Sequence, residues 1–83
     1  MKVTRRNKVK LYLFIQQDGG NVIDLGLVSL FDATRKAHLM ARNFLRQHLT
    51  KQETKIEVRT KEAVITSIEA WRSGGKTINI IHL

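Results

Sequence analysis

Arginines at 35, 42 and 46 recur at intervals of seven and four residues, with Lys36 and Asn43 flanking them. On a helix such spacing gathers the three guanidinium groups along one edge, over a rise of about 10–17 Å. A row of cations at that pitch suits successive phosphates of a polynucleotide, a contact that positions a protein without reading bases. Arg5 and Arg6 stand in the opening "MKVTRRN". That segment is basic and poor in apolar residues, and residues 1–7 read as a flexible arm able to reach a phosphate backbone. Lys61 follows the strand-like "KIEVR", where a helix is expected to open and present its amides to an anion.

Residue types for other chemistry are present but not arranged for it. Asp18, Asp24, Asp32, Glu53, Glu57, Glu62 and Glu69 each suit a turn, a cap or a first helical turn, and nothing in their spacing forces two of them into one pocket. His38, His48 and His82 are too scattered for a zinc site, and there is no cysteine to complete one. His48 falls near the core face of the first expected helix, where it reads as structural. Ser29, Ser67 and Ser73 lack an elbow motif. The glycine pairs at 19–20 and 74–75 lack the rest of a phosphate-binding loop. No enzyme, metal or cofactor is expected.

Composition points the same way. Fifteen Lys and Arg against seven Asp and Glu give a formal charge of +8 on 83 residues, a field that draws polyanions or an acidic protein surface. With 42 % apolar and 27 % charged residues, the chain has the makings of one globular domain, over residues 8–83. The most apolar stretch, 22–31, is broken by Asp24, Gly26 and Ser29 and is too short to cross a bilayer. Without a signal-type apolar run, a cytoplasmic protein that does not meet a membrane is expected.

The elements that must position the arginines follow from periodicity. "VKLYLFIQ" places Val9, Leu11, Leu13 and Ile15 on one face and Tyr12 and Phe14 on the other, so it reads as a strand inside a sheet. Tyr12 and Phe14 would stack bases if one sheet face were open, but a doubly apolar strand places them in the core. "QDGGN" supplies a hairpin turn, and "VIDLGLVSLF" is its antiparallel partner, with Gly26 marking a bulge or a close backbone approach. Asp32 or Ser29 caps a helix from Ala33 to about Leu49, with Ala33, Ala37, Met40, Ala41, Phe44 and His48 facing the core.

"TKQET" then leads to the strand "KIEVR", and Thr60 is expected to cap a second helix over 61–73. That helix would gather Val64, Ser67, Ile68 and Trp71 on one face, with Gly74 as a left-handed stop. The β-branched content of "AVITSIEAW" allows a strand instead, in a hairpin with "KTINIIHL" across "RSGG". The i, i+4, i+7 pattern favours the helix. The resulting order is ββαβαβ, a two-layer α/β (α+β) sandwich with a mixed four-stranded sheet, two helices and a right-handed crossover.

"TRKAHLMARNFL" (34–45) followed by "IEVRTKEAVITSIEAW" (56–71) resembles the central part of the ribonuclease H-like family. There a helix with an acidic-Leu-Met-Ala pattern precedes a strand ending Thr-Asp-Ser, which opens a helix with an aliphatic face and a Trp. The resemblance covers about half of the chain. It departs where the chemistry sits: His38 replaces the helix glutamate, Lys61 replaces the strand-end aspartate, and Asp18 only loosely matches the first-strand aspartate. The hairpin is also one strand short of the family's three. Hydrolysis in that family is metal-assisted, so losing two carboxylates implies a trimmed, non-catalytic descendant whose tip at Lys61 holds phosphate instead of cutting it.

The function expected is therefore non-catalytic binding of DNA or RNA through Arg35, Lys36, Arg42 and Arg46, the arm residues Arg5 and Arg6, and Lys61. The alternative is a small regulator, of phage or antitoxin type, that docks on an acidic surface of a larger protein.

Overall fold

The computed structural model describes residues 6–15, 20–74 and 77–83. Strand β1 (Lys8–Ile15) alternates as expected, with Val9, Leu11 and Leu13 buried and Lys8 and Lys10 exposed. It pairs antiparallel with β2 (Asn21–Ser29), and the register slips between Lys10 and Tyr12. Gly26 stands opposite the slip at φ +70°, a left-handed conformation that costs glycine little, so the expected bulge is present. Its amide donates to Asp24 Oδ1 at 2.7 Å. That bond, with Lys10 at 3.4 Å, holds the Asp24 carboxyl below the ordinary carboxylate range.

Helix α1 (Leu30–Gln47) begins directly after β2. Ser29 is its N-cap, its Oγ accepting from the Asp32 amide at 3.1 Å, while Asp32 places a negative charge in the first turn. Ala33, Ala37, Ala41 and Leu45, four residues apart, are all fully buried. Three alanines at this spacing let the helix axis approach the sheet closely, and Leu45 is the one large side chain of the row. Met40 and Phe44 pack beside them, half-buried. His48, expected near the core, is instead the exposed C-cap and stacks on Phe44 with ring centroids 4.4 Å apart.

Three further strands, β3 (Glu53–Arg59), β4 (Val64–Ser73) and β5 (Thr77–His82), complete a five-stranded sheet in the order β2-β1-β3-β4-β5, antiparallel at every pairing. The fold is therefore ββαβββ: α+β, with one helix on one face of the sheet. This corrects the expectation of a second helix, a mixed four-stranded sheet and a parallel crossover. It also removes the helix that the ribonuclease H-like resemblance implies over 61–73.

Two physical reasons decide for a strand. Val64, Ile65, Thr66 and Ile68 are β-branched and suit a pleated surface better than a helix. As a strand, the segment also sets Ile68 beside Ile56 and Ala70 beside Thr54, all buried beneath α1. The capping chemistry read at Thr60 is present, but it closes a turn. Thr60 Oγ1 accepts from the amides of Glu62 and Ala63, and the Thr60 amide donates to the Ala63 carbonyl, which tightens the β3–β4 hairpin. Gly74, at φ +60°, is left-handed as expected but belongs to the β4–β5 turn, not to a helix end.

Arg72, on β4, points to the helix side of the sheet, and its Nη2 donates to the Leu45 carbonyl in the last turn of α1. A cation there meets both unsatisfied carbonyls and the negative end of the helix dipole. Its Nε is buried without a partner, so the side chain is held for this contact at some desolvation cost. Arg72→Ala is expected to lower stability by about 1.5–3 kcal/mol, seen as a lower urea midpoint at an unchanged slope. Among the described residues no helix is long and apolar enough to cross a membrane.

Candidate nucleic-acid interface

With a single helix, one face of the sheet stays uncovered, and the cations divide between two unlike surfaces. By strand alternation the uncovered face carries Lys8, Lys10, Lys55 and Arg59, but also Asp24, Glu53, Glu57 and Glu69. Lys10 pairs with Asp24 at 3.4 Å and Arg59 with Glu57 at 3.7 Å. That face is balanced in charge. Tyr12 and Phe14 lie on it, half-buried, among the exposed Val22, Leu27, Trp71 and Ile81, so the expected core placement of the two aromatics is corrected. They leave the core because no second helix covers them.

The outer surface of α1 is different. Arg35, Lys36 and Arg46 are exposed and Arg42 is half-exposed, against Asp32 as the only acid of the helix. None of these four cations lies within ion-pair distance of a carboxylate among the described residues. Arg35 and Arg42 fall on the flank facing the β4–β5 corner, the end of that strand pair away from its turn, where Thr66 and His82 lie. Arg46 continues that row into the last turn, and Lys36 lies about 100° further round the helix.

Arg35 and Arg42 line a groove of about 620 Å³ between this flank and the sheet, together with Phe31, His38, Leu39 and His82. His38 Nε2 meets His82 Nε2 across it, the rings in a T-shaped contact with centroids 4.6 Å apart. The Arg35 guanidinium carbon stands 5.8 Å from the centre of the Phe31 ring. No carboxylate lines the groove among the described residues. The hydroxyl of Thr34 is committed to the Leu30 carbonyl at 2.7 Å and that of Thr66 to the Leu83 carbonyl at 3.2 Å. The donors left to meet a ligand are the two guanidinium groups, beside an imidazole pair whose Nε2 atoms are engaged with each other.

Partial burial, followed by the nearby charges of His82 and Arg42, pushes the His38 imidazole below its ordinary pKa of 6.5. Its neutral form is therefore favoured in the fold. The unfolded chain takes up the proton more readily, so stability is held above about pH 6.5 and lost as pH falls below it. His38→Gln is expected to flatten this acid loss in thermal melts between about pH 7 and pH 5.

The other expected site residues scatter. Arg6 shares a hollow with Lys8, Phe31 and Asp32, which brings it to the N-terminal end of α1. Residues 1–5 of the arm, Arg5 among them, and Asp18 lie outside the described residues. Lys61 is at the tip of the β3–β4 hairpin, not at a strand-to-helix junction. It lines a separate hollow with Lys10 and Tyr12, and its charge reaches Asp24. No helix opens there, so the strand-to-helix junction on which the phosphate tip was expected is absent.

His38 was within reach of sequence reasoning, because it falls three residues after Arg35 and four before Arg42 on the same flank. His82 was not, since only the β4–β5 pairing brings it there. No group of three or more possible metal ligands occurs among the described residues. No protein-family model, curated protein or solved structure matches the chain.

Proposed function

We propose that the protein is a non-catalytic nucleic-acid-binding protein that holds the phosphate backbone against the outer flank of α1. The observation that carries this reading is the asymmetry of charge: one face of the molecule balances its acids and bases, while the helix presents Arg35, Lys36, Arg42 and Arg46 without carboxylate partners among the described residues. Unpaired cations along a rigid helix lose little on meeting phosphate, because no internal ion pair must break. Arg6, near the start of the same helix, extends the contact. Titration with mixed-sequence oligonucleotides tests it: the logarithm of affinity should fall linearly with that of salt concentration, with a slope of about −2 to −3 for three or four phosphates. Absence of binding at low salt would contradict it.

A second reading places a protein partner on the uncovered sheet face, where Tyr12, Phe14 and Trp71 sit among paired charges in the manner of an interface core with a polar rim. The two readings use opposite faces. Saturable binding to one protein that survives nuclease treatment and is lost in Trp71→Ala would favour the second.

A further inference from the structure

We infer that the groove between α1 and the β4–β5 corner seats one nucleotide of a single-stranded nucleic acid, its phosphate between Arg35, Arg42 and the His38–His82 pair and its base against Phe31. This rests on the function proposed above and narrows it to one class of ligand.

Three observations combine. The groove, at about 620 Å³, has room for a small ligand, as do the hollows beside Lys61 and Arg6, and what sets it apart is its lining. Its donors are the Arg35 and Arg42 guanidinium groups beside the imidazole pair, and among the described residues no Asp or Glu lines it. Its apolar wall is an aromatic ring beside a guanidinium: Phe31 is 48 % exposed, Leu39 beyond it 59 %, and Arg35 stands over the ring. A base packs well on such a pair, through stacking and the attraction of the cation for both π systems. A duplex keeps its bases inside the helix and offers none to this wall, while a single strand turns one out at low cost.

The imidazole pair adds a dependence on pH. Around His38 the charged and titratable groups are Arg35 and Arg42 from α1 and His82 from β5. Partial burial, His82 and Arg42 disfavour a proton on His38. A phosphate seated among them reverses the balance, so binding draws in a proton and affinity rises as pH falls.

The test compares a fluorescent oligothymidylate of about 12 nucleotides with a duplex of equal length, by anisotropy at fixed salt. The single strand is expected to bind at least about tenfold more tightly than the duplex, and Phe31→Ala to narrow that advantage to within about twofold. Arg35→Lys keeps the charge and the apolar contacts of α1 but loses the planar stack, and it should do the same even if Phe31→Ala unfolds. Affinity for the single strand should rise severalfold between about pH 7.5 and about pH 6, and His38→Gln should remove most of that rise. Equal affinity for strand and duplex, an advantage that persists in both variants, or a pH effect untouched by His38→Gln would overturn the groove's role and leave backbone binding by α1 standing. No binding of either oligonucleotide would remove both.

Discussion

Replacing Arg35, Arg42 and Arg46 together by alanine is expected to lower affinity for polynucleotides about a hundredfold or more, to a similar extent for every sequence. Each guanidinium that meets a phosphate contributes about 1 kcal/mol or more, and every 1.4 kcal/mol is a factor of ten. The salt dependence should become shallower by about 2 to 3 in slope, because three fewer counterions are released. The fold should hold, since Arg35 and Arg46 are exposed and none of the three forms an ion pair among the described residues. Alanine also favours a helix at all three positions. A triple variant that binds as tightly as the parent, with the same salt slope, would place the contact elsewhere.

The largest effect on stability is expected from Leu45→Ala, at about 2–5 kcal/mol. Leu45 is fully buried and follows three alanines that add little volume, so the last turn of α1 depends on it for its anchorage to the sheet. The same residue's carbonyl receives Arg72, and loosening that turn weakens this contact too. A domain of this size is stable by only about 4–12 kcal/mol, so the loss takes a large part of the total. Thermal and urea unfolding should both show it. Ala37→Leu approaches the same interface from the other side: overpacking at this fully buried alanine is expected to cost about 1–3 kcal/mol.

The elements that could be read from the sequence are those whose periodicity admits one solution. The apolar face of β1, the bulge at Gly26, the cap of α1 and the alanine face with Met40 and Phe44 all follow from local pattern. The boundary of the helix moved by one turn because Ser29 supplies the cap and Leu30 and Phe31 already belong to the helix. The segment 64–73 was different, since Val64, Ile68 and Trp71 satisfy a helical spacing as well as a strand. The choice between them belongs to the partners, β3 on one side and β5 on the other, which a local pattern does not contain.

That one change reorganised the surface. Without a second helix, Tyr12 and Phe14 became an uncovered face, Lys61 became a hairpin tip, and Arg72 turned inward to the end of α1. The arginine row survived because it lies within a single helix, and helical geometry alone sets its spacing. What the row lacked in the sequence was its opposite wall, since His82 is 44 residues from the His38 it meets.

Mapping the amide chemical shifts of the isotope-labelled protein during titration with an oligonucleotide tests the central claim most directly. Binding by the α1 flank predicts the largest changes at Arg35, His38, Arg42 and Arg46 and at His82 across the groove, with β1 and β3 little affected. Changes centred on Tyr12, Lys55 and Trp71, with α1 unmoved, would contradict it.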